Sequence, residues 1–121
     1  MDLHAQDKVP LIKELMKQER RTAARWPFFA SAEMVDELET LFKTRVTELS
    51  LYGCYVDRLN ALPKGTSVFI RIFTDTDSFE ANARVVYVNA NLGMGLSFQD
   101  VQSHHLPVLR KWLVGAGCKD I

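Results

Sequence analysis

Short runs of alternating apolar and polar residues between Phe28 and Phe98 constrain the fold more than any other feature of the chain. Successive side chains of a β-strand point to opposite faces, so this alternation is typical of half-buried strands. Turn-forming segments such as Pro63–Gly65 and Asn89–Asn91 separate the runs. Short strands at regular intervals predict a β-sandwich or a β-barrel. The six predicted strands are Phe28–Val35, Leu41–Glu48, Cys54–Val56, Ser67–Phe73, Phe79–Val88 and Gly93–Phe98.

Alternation also predicts which side chains share one face of a strand. In the fifth run, Tyr87 falls on the same face as Ala83 and Val85. A second expectation concerns four aromatic residues, most of which should lie in the core, with a partner surface as the alternative. These four are Trp26, Phe28, Phe29 and Tyr55.

Two helices are predicted outside the strand region. The first is Asp7–Arg20, where Pro10 suits the first turn of a helix. The second lies near Pro107, which limits how far upstream that helix can begin. Its position after the last strand would let it cover the open end of a barrel. Its apolar stripe consists of Leu106, Leu109, Trp112 and Leu113.

Length and charge limit the classes of function. The chain has 121 residues, enough for one domain with a buried core. Its 15 basic residues balance its 15 acidic residues, so the basic excess of proteins that coat DNA or RNA is missing. The same balance disfavours a small barrel for single-stranded nucleic acid, which needs aromatic residues within a basic groove. No signal-like or membrane-spanning apolar run is present, so we expect a cytoplasmic protein without membrane insertion.

The residue types needed for catalysis do not form a recognisable set. His104 and His105 are neighbours, and adjacent residues of a helix do not share one face. Cys54 lies in a predicted strand and is expected to be a small core residue. It is far from Cys118, without the spacing of a disulfide framework or a metal site. The sequence therefore favours a binding module over an enzyme, with no metal and no cofactor.

A basic segment precedes the first strand. It contains Arg20, Arg21 and Arg25. The whole stretch Arg20–Pro27 has no hydrophobic period and is predicted to be a connecting loop. Guanidinium groups match phosphate oxygens and the guanine edge with two parallel hydrogen bonds, and they stack on purines. A solvated basic loop, or cations at a helix end, would give the same pattern.

A second polar group follows the second predicted strand and consists of Glu48, Ser50 and Gly53. Residues two apart on a strand project to the same side, so Glu48 and Ser50 are expected to be neighbours. A carboxylate accepts hydrogen bonds from the Watson–Crick edge of guanine, and a hydroxyl donates or accepts. Gly53 permits a sharp turn or a close approach of the backbone to a ligand. A polar strand end with a glycine bulge is the alternative interpretation.

Three motifs in this order resemble those of the PilZ domain: Arg21-Thr-Ala-Ala-Arg25, Glu48-Leu-Ser50-Leu-Tyr-Gly53 and Gly93-Met-Gly95-Leu-Ser-Phe98. The resemblance extends from Arg20 to Leu113 and includes the closing helix. It implies an all-β core with flanking helices, in which a six-stranded antiparallel barrel lies between a short N-terminal helix and a C-terminal helix. The implied organisation is a helical extension at 1–19, a PilZ domain at 20–114 and a tail at 115–121.

In the PilZ family, the arginine loop wraps over the phosphates and guanines of the bacterial second messenger cyclic di-GMP. The resemblance assigns these contacts to the arginines, with Arg20 as an additional stacking or phosphate contact. It assigns a guanine edge to Glu48, and the shaping of the cradle to Ser50 and Gly53. The implied ligand-binding residues are Arg20, Arg21, Arg25, Glu48, Ser50 and Gly53.

One residue departs from the family pattern, which has Asp or Asn where this chain has Glu48. The additional methylene moves the carboxylate by more than about 1 Å, whereas preorganised sites hold their groups within about 0.5 Å. Loss of one charge-assisted hydrogen bond costs about 1.5–3 kcal/mol. Glu48 in place of Asp or Asn is therefore expected to affect the affinity for the ligand.

The resemblance implies a receptor for cyclic di-GMP that takes part in the regulation of motility or biofilm formation. Ligand binding would order the arginine loop and create a surface for a downstream protein. The alternative is a protein-interaction adaptor with the same fold and weak or no nucleotide binding. Such adaptors generally lack the arginine motif, so the presence of Arg21 and Arg25 favours the receptor.

Overall fold

The computed structural model describes residues 24–119. The predicted helix Asp7–Arg20 and the arginines Arg20 and Arg21 lie outside this range. The strands are β1 (Trp26–Asp36), β2 (Leu41–Leu49), β3 (Gly53–Asp57), β4 (Ser67–Phe73), β5 (Ser78–Asn89) and β6 (Gly93–Asp100). All neighbours are antiparallel, and β4 pairs with β1, which closes a barrel in the order β1-β2-β3-β6-β5-β4. The predicted six-stranded antiparallel barrel is confirmed.

The barrel interior is filled by the apolar faces that alternation predicts. Ala32 and Met34 of β1 are buried, as are Ile70 and Ile72 of β4. Ala81 is buried on the inner face of β5. Because alanines alternate with larger side chains around the barrel, the interior of a narrow barrel can be filled without voids.

The first strand begins two residues earlier than predicted. Trp26 and Pro27 belong to β1 and not to a connecting loop, and Pro27 pairs with Glu48. The register shifts directly after Pro27, and an irregular position of this kind is where a sheet tolerates proline. Phe29 falls in the irregular stretch and is 71% exposed. It is therefore not a core residue.

A C-terminal helix, α1 (Leu106–Gly115), packs against the barrel core. A short 3₁₀ turn (Ser103–His105) leads into it. The helix buries Leu109, Trp112 and Leu113. The Trp112 ring centroid lies 4.9 Å from that of Phe28. No helix within residues 24–119 has the length and apolar character needed to cross a membrane.

An ion pair connects the helix to the turn between β4 and β5. Lys111 Nζ lies 2.9 Å from Asp77 Oδ2. Hydrogen bonds from Lys111 and, to a smaller extent, from Thr76 lower the pKa of Asp77 below its ordinary value. The contact therefore contributes stability above the ordinary pKa of aspartate, and this contribution is lost as the pH falls through the lowered pKa.

Replacing Leu109 by alanine is expected to lower the free energy of unfolding by about 2–5 kcal/mol, because it leaves a cavity under the helix. Leu109 is fully buried, whereas Val114 of the same helix is 57% exposed. Val114→Ala is the matched control, with an expected change below about 0.5 kcal/mol. Urea unfolding followed by tryptophan fluorescence measures both, and equal effects would contradict this packing.

Candidate functional site

A β-bulge turns Glu48 to the outer surface of the barrel. Val46, two residues earlier, is fully buried, and strict alternation would direct Glu48 inward as well. The register between β2 and β3 instead shifts between these two residues, and Leu49 is the next buried side chain. An extra residue in a strand re-aims the side chains that follow it. The Glu48 side chain therefore projects outward and is 46% exposed.

A second bulge has the same effect on Tyr87 in β5. The prediction that Tyr87 shares the inner face with Val85 is wrong, because the register against β6 shifts between the two residues. The Tyr87 ring lies against Gly95 of β6, where a Cβ atom would overlap the ring. The ring also stacks with that of Tyr55 on β3, with centroids 6.2 Å apart and planes inclined by 28°.

Arg25 directly precedes β1 and contacts both outward-facing residues. Its Nη1 atom lies 3.7 Å from Glu48 Oε1 and donates a hydrogen bond to the hydroxyl of Tyr87. Its Cζ atom is 5.0 Å from the centroid of the Tyr87 ring, within the range of a cation–π contact. The structure thus brings together Arg25 and Glu48, which belong to separate sequence motifs. Tyr87 is a neighbour that sequence reasoning missed.

Ser50 does not project beside Glu48 from a strand, because β2 ends at Leu49. It lies in the turn before β3 and is only 8% exposed. Its hydroxyl is within hydrogen-bonding distance of the Gly53 carbonyl, at 3.3 Å, and accepts a hydrogen bond from the Tyr52 amide at 3.2 Å. Both contacts are local, so the hydroxyl of Ser50 holds the shape of this turn.

Gly53 is required by its neighbour on β6. A Cβ atom at this position would overlap the carbonyl oxygen of Leu96 and lie 3.3 Å from the Cα of Ser97. The absence of a side chain therefore permits close contact between two backbones, the kind of approach for which strands use glycine.

Gly53→Ala is expected to lower the free energy of unfolding by about 2–4 kcal/mol, since backbone atoms have to move. Gly115→Ala is the matched control. Its Cβ would meet no atom within 4 Å, and alanine is a better helix residue than glycine by about 1 kcal/mol. Thermal unfolding of both variants checks this prediction, in which Gly53→Ala lowers the stability and Gly115→Ala raises it. An unchanged Gly53→Ala protein would contradict the contact with Leu96.

Arg25, Ser50 and Gly53 line an open pocket of about 230 Å³. Cys54 contributes to its wall and is 4% exposed. Burial raises the pKa of the Cys54 thiol to about 12, against a smaller lowering effect of the Arg25 charge. The residues that line the pocket are Arg25, Ser50, Tyr52, Gly53, Cys54, Val86, Leu96 and Ser97.

Cys54 is expected to resist alkylation in the folded protein. The Cys54 side chain is 4% exposed, and burial raises its pKa to about 12, so the thiolate, which is the reactive form, is both scarce and shielded. Cys118 is partly exposed and serves as the internal control. Mass spectrometry after iodoacetamide treatment should find Cys118 modified well before Cys54, and comparable rates would contradict the burial of Cys54.

The side chains of the site are of the types that bind a ligand through charge and hydrogen bonds. A half-exposed guanidinium stands beside an outward carboxylate, at the rim of a pocket with hydroxyl groups in its wall. Guanidinium groups form paired, charge-assisted hydrogen bonds with phosphates and carboxylates. Among residues 24–119, no three His, Cys, Asp or Glu side chains lie close enough to hold a metal ion. Fold and candidate site together consist of a closed β-barrel with an arginine–carboxylate pair beside a pocket on its outer surface.

The chain belongs to the PilZ domain family, whose model matches residues 19–115. Among solved structures, the PilZ domain with c-di-GMP of YcgR from Escherichia coli is similar, with a TM-score of 0.67, 14% identity, and coverage of 80% of this chain and 91% of that one. The PilZ domain of CeSA from a cellulose-synthesizing bacterium gives a TM-score of 0.59 at 19% identity, with coverage of 77% and 97%.

A third similar structure is the Bacillus subtilis inhibitor of motility, MotI/DgrA, with a TM-score of 0.66 at 14% identity. The match covers 78% of this chain and 49% of that one, so the chain spans about half of its length. At these identities the three structures support the fold. No curated protein sequence matches the chain.

Proposed function

We propose that this domain is a receptor for cyclic di-GMP. The observation that carries the proposal is the meeting of two sequence motifs in space. Arg25 of the first motif lies 3.7 Å from Glu48 of the second, beside a pocket that Ser50 and Gly53 also line. Membership of the PilZ family supports the same ligand, as does the c-di-GMP in the similar YcgR structure.

Arg25 and Glu48 are available to exchange their mutual contact for contacts with a ligand. Each side chain of this ion pair is 46% exposed, and exposed pairs contribute about 0–1 kcal/mol. A charge-assisted hydrogen bond to a charged ligand group contributes about 1.5–3 kcal/mol. We propose that Arg25 binds a phosphate and that Glu48 accepts from a guanine edge. Arg20 and Arg21 would add the remaining cationic contacts.

Ser50 and Gly53 have a structural role in this proposal. The hydroxyl of Ser50 and the close packing of Gly53 hold the turn that forms one wall of the pocket. A rigid wall matters because a binding site that is ordered in advance loses less entropy when the ligand arrives.

The proposed signal is an ordering of the segment before β1. Trp26 and Pro27 already belong to the barrel, and Arg25 already contacts Glu48 and Tyr87, so the part that reorganises on binding would lie before Arg25. Two phosphates and two guanines provide enough partners to hold several arginines together. The rearranged segment would then present a new surface to a downstream protein. In this proposal the domain binds and signals, and it catalyses no reaction.

The protein-interaction adaptor is the second candidate. Large apolar side chains are exposed around the end of β1 that is remote from Arg25. They include Leu38 at 85%, Leu41 at 55% and Phe69 at 41% exposure. Leu41 and Phe69 are both paired with Val35, so they flank one strand of the outer surface. Exposed apolar groups of this kind favour contacts with other proteins.

Calorimetric titration with cyclic di-GMP tests the proposal. We expect binding in the nanomolar to low-micromolar range, selective over GTP and cyclic GMP. Arg25→Ala is expected to lose about ten- to a hundredfold in affinity, the equivalent of one charge-assisted contact. Arg21→Ala should remove binding while the protein stays folded.

Arg110→Ala is the matched control, because Arg110 is exposed on the helix and takes no part in the pocket. It should bind as the unmodified protein does. Unchanged affinity in Arg25→Ala would show that the site is wrong. No binding of cyclic di-GMP to the unmodified protein, checked by a second method, would favour the adaptor.

A further inference from the structure

We infer that Tyr87 is a positioning residue, which orients the guanidinium of Arg25 for an anionic ligand. The inference rests on the proposed function, since it concerns the affinity of the same site. Tyr87 belongs to none of the three motifs that the sequence presents. It comes to the site through the bulge in β5, which directs its ring outward beside Gly95.

Tyr87 contacts Arg25 in two ways. Its hydroxyl accepts a hydrogen bond from Nη1, and its ring lies below the guanidinium, 5.0 Å from Cζ. The hydrogen bond fixes the rotation of the guanidinium, and the ring fixes the height of the group above the barrel. Together they restrict a long side chain that otherwise populates many rotamers.

Within residues 24–119, the contacts to Arg25 involve Nη1 and leave the edge formed by Nε and Nη2 available. Tyr87 and Glu48 both interact with Nη1. A phosphate is bound by two parallel N–H groups of a guanidinium, and the edge formed by Nε and Nη2 offers such a pair. A ligand can therefore occupy that edge while the hydrogen bond to Tyr87 is kept. For this reason Tyr87 should assist binding and should not compete with the ligand.

Tyr87 is itself held firmly. Its ring packs against the backbone at Gly95 and stacks with Tyr55. Three strands, β3, β6 and β5, thus support the ring. Arg25, in contrast, lies before the first strand, where its own backbone has no place in the sheet.

Tyr87→Phe tests the inference, because it removes the hydroxyl and keeps the ring. We expect about a three- to tenfold loss of affinity for cyclic di-GMP, less than the loss of a direct charge-assisted contact, because the hydroxyl of Tyr87 acts on the ligand only through Arg25. Tyr55→Phe is the matched control. It removes a hydroxyl that bonds to Asn89 and not to Arg25, so affinity should not change. Thermal unfolding verifies that both variants are folded.

A second measurement is made without ligand. In the free protein, ¹⁵N relaxation of the Arg25 Nε–H group should report a restricted side chain, and Tyr87→Phe should increase its motion. Tyr55→Phe should not. This readout separates the two proposals, because it remains informative if the unmodified protein fails to bind cyclic di-GMP.

Two results would overturn the inference. Equal or tighter binding by Tyr87→Phe would mean that Tyr87 does not help Arg25 to bind, or that it competes with the ligand. Unchanged motion of Arg25 in that variant would mean that the hydroxyl does not orient the guanidinium, even where affinity falls.

Discussion

Closure of the sheet between β1 and β4 is the constraint on which the rest of the structure depends. A closed barrel has no open sheet edge, and every inward side chain has to fit within a narrow interior. That interior is apolar, with alanines such as Ala32 and Ala83 beside larger residues such as Ile70. Polar groups that bind a ligand therefore have to project from the outer surface, and the candidate site lies there.

The site follows one row of residues across four strands. Glu48 pairs with Tyr55, and Gly95 pairs with both Tyr55 and Tyr87. A bulge in β2 and another in β5 direct the two ends of this row outward. The glycine in the middle leaves space for the tyrosine rings. Arg25 contacts both ends, so a residue that precedes the first strand connects β2 to β5.

The strengths of the contacts that Arg25 makes are compatible with reversible binding of a ligand. A buried ion pair would resist exchange, because breaking it costs about 3–5 kcal/mol. The contact between Arg25 and Glu48 is half exposed, so water screens it and a ligand can replace it at little cost. Tyr87 offers a neutral contact that a phosphate does not have to displace. The surroundings of Arg25 thus combine an exchangeable carboxylate, Glu48, with an aromatic support, Tyr87.

The amino-acid sequence alone predicts the strands, the C-terminal helix and the two motifs that contribute Arg25 and Glu48, because alternation and motif spacing are local properties. The sequence alone does not predict that the side chains of Glu48 and Tyr87 project outward from the barrel. A bulge depends on the register between two strands, and strict alternation of the single chain would direct both side chains into the core. Ser50 was misplaced for a related reason, since the end of a strand depends on where its neighbour stops pairing. The contacts of Arg25 therefore exist only once β2, β3, β6 and β5 have paired in register.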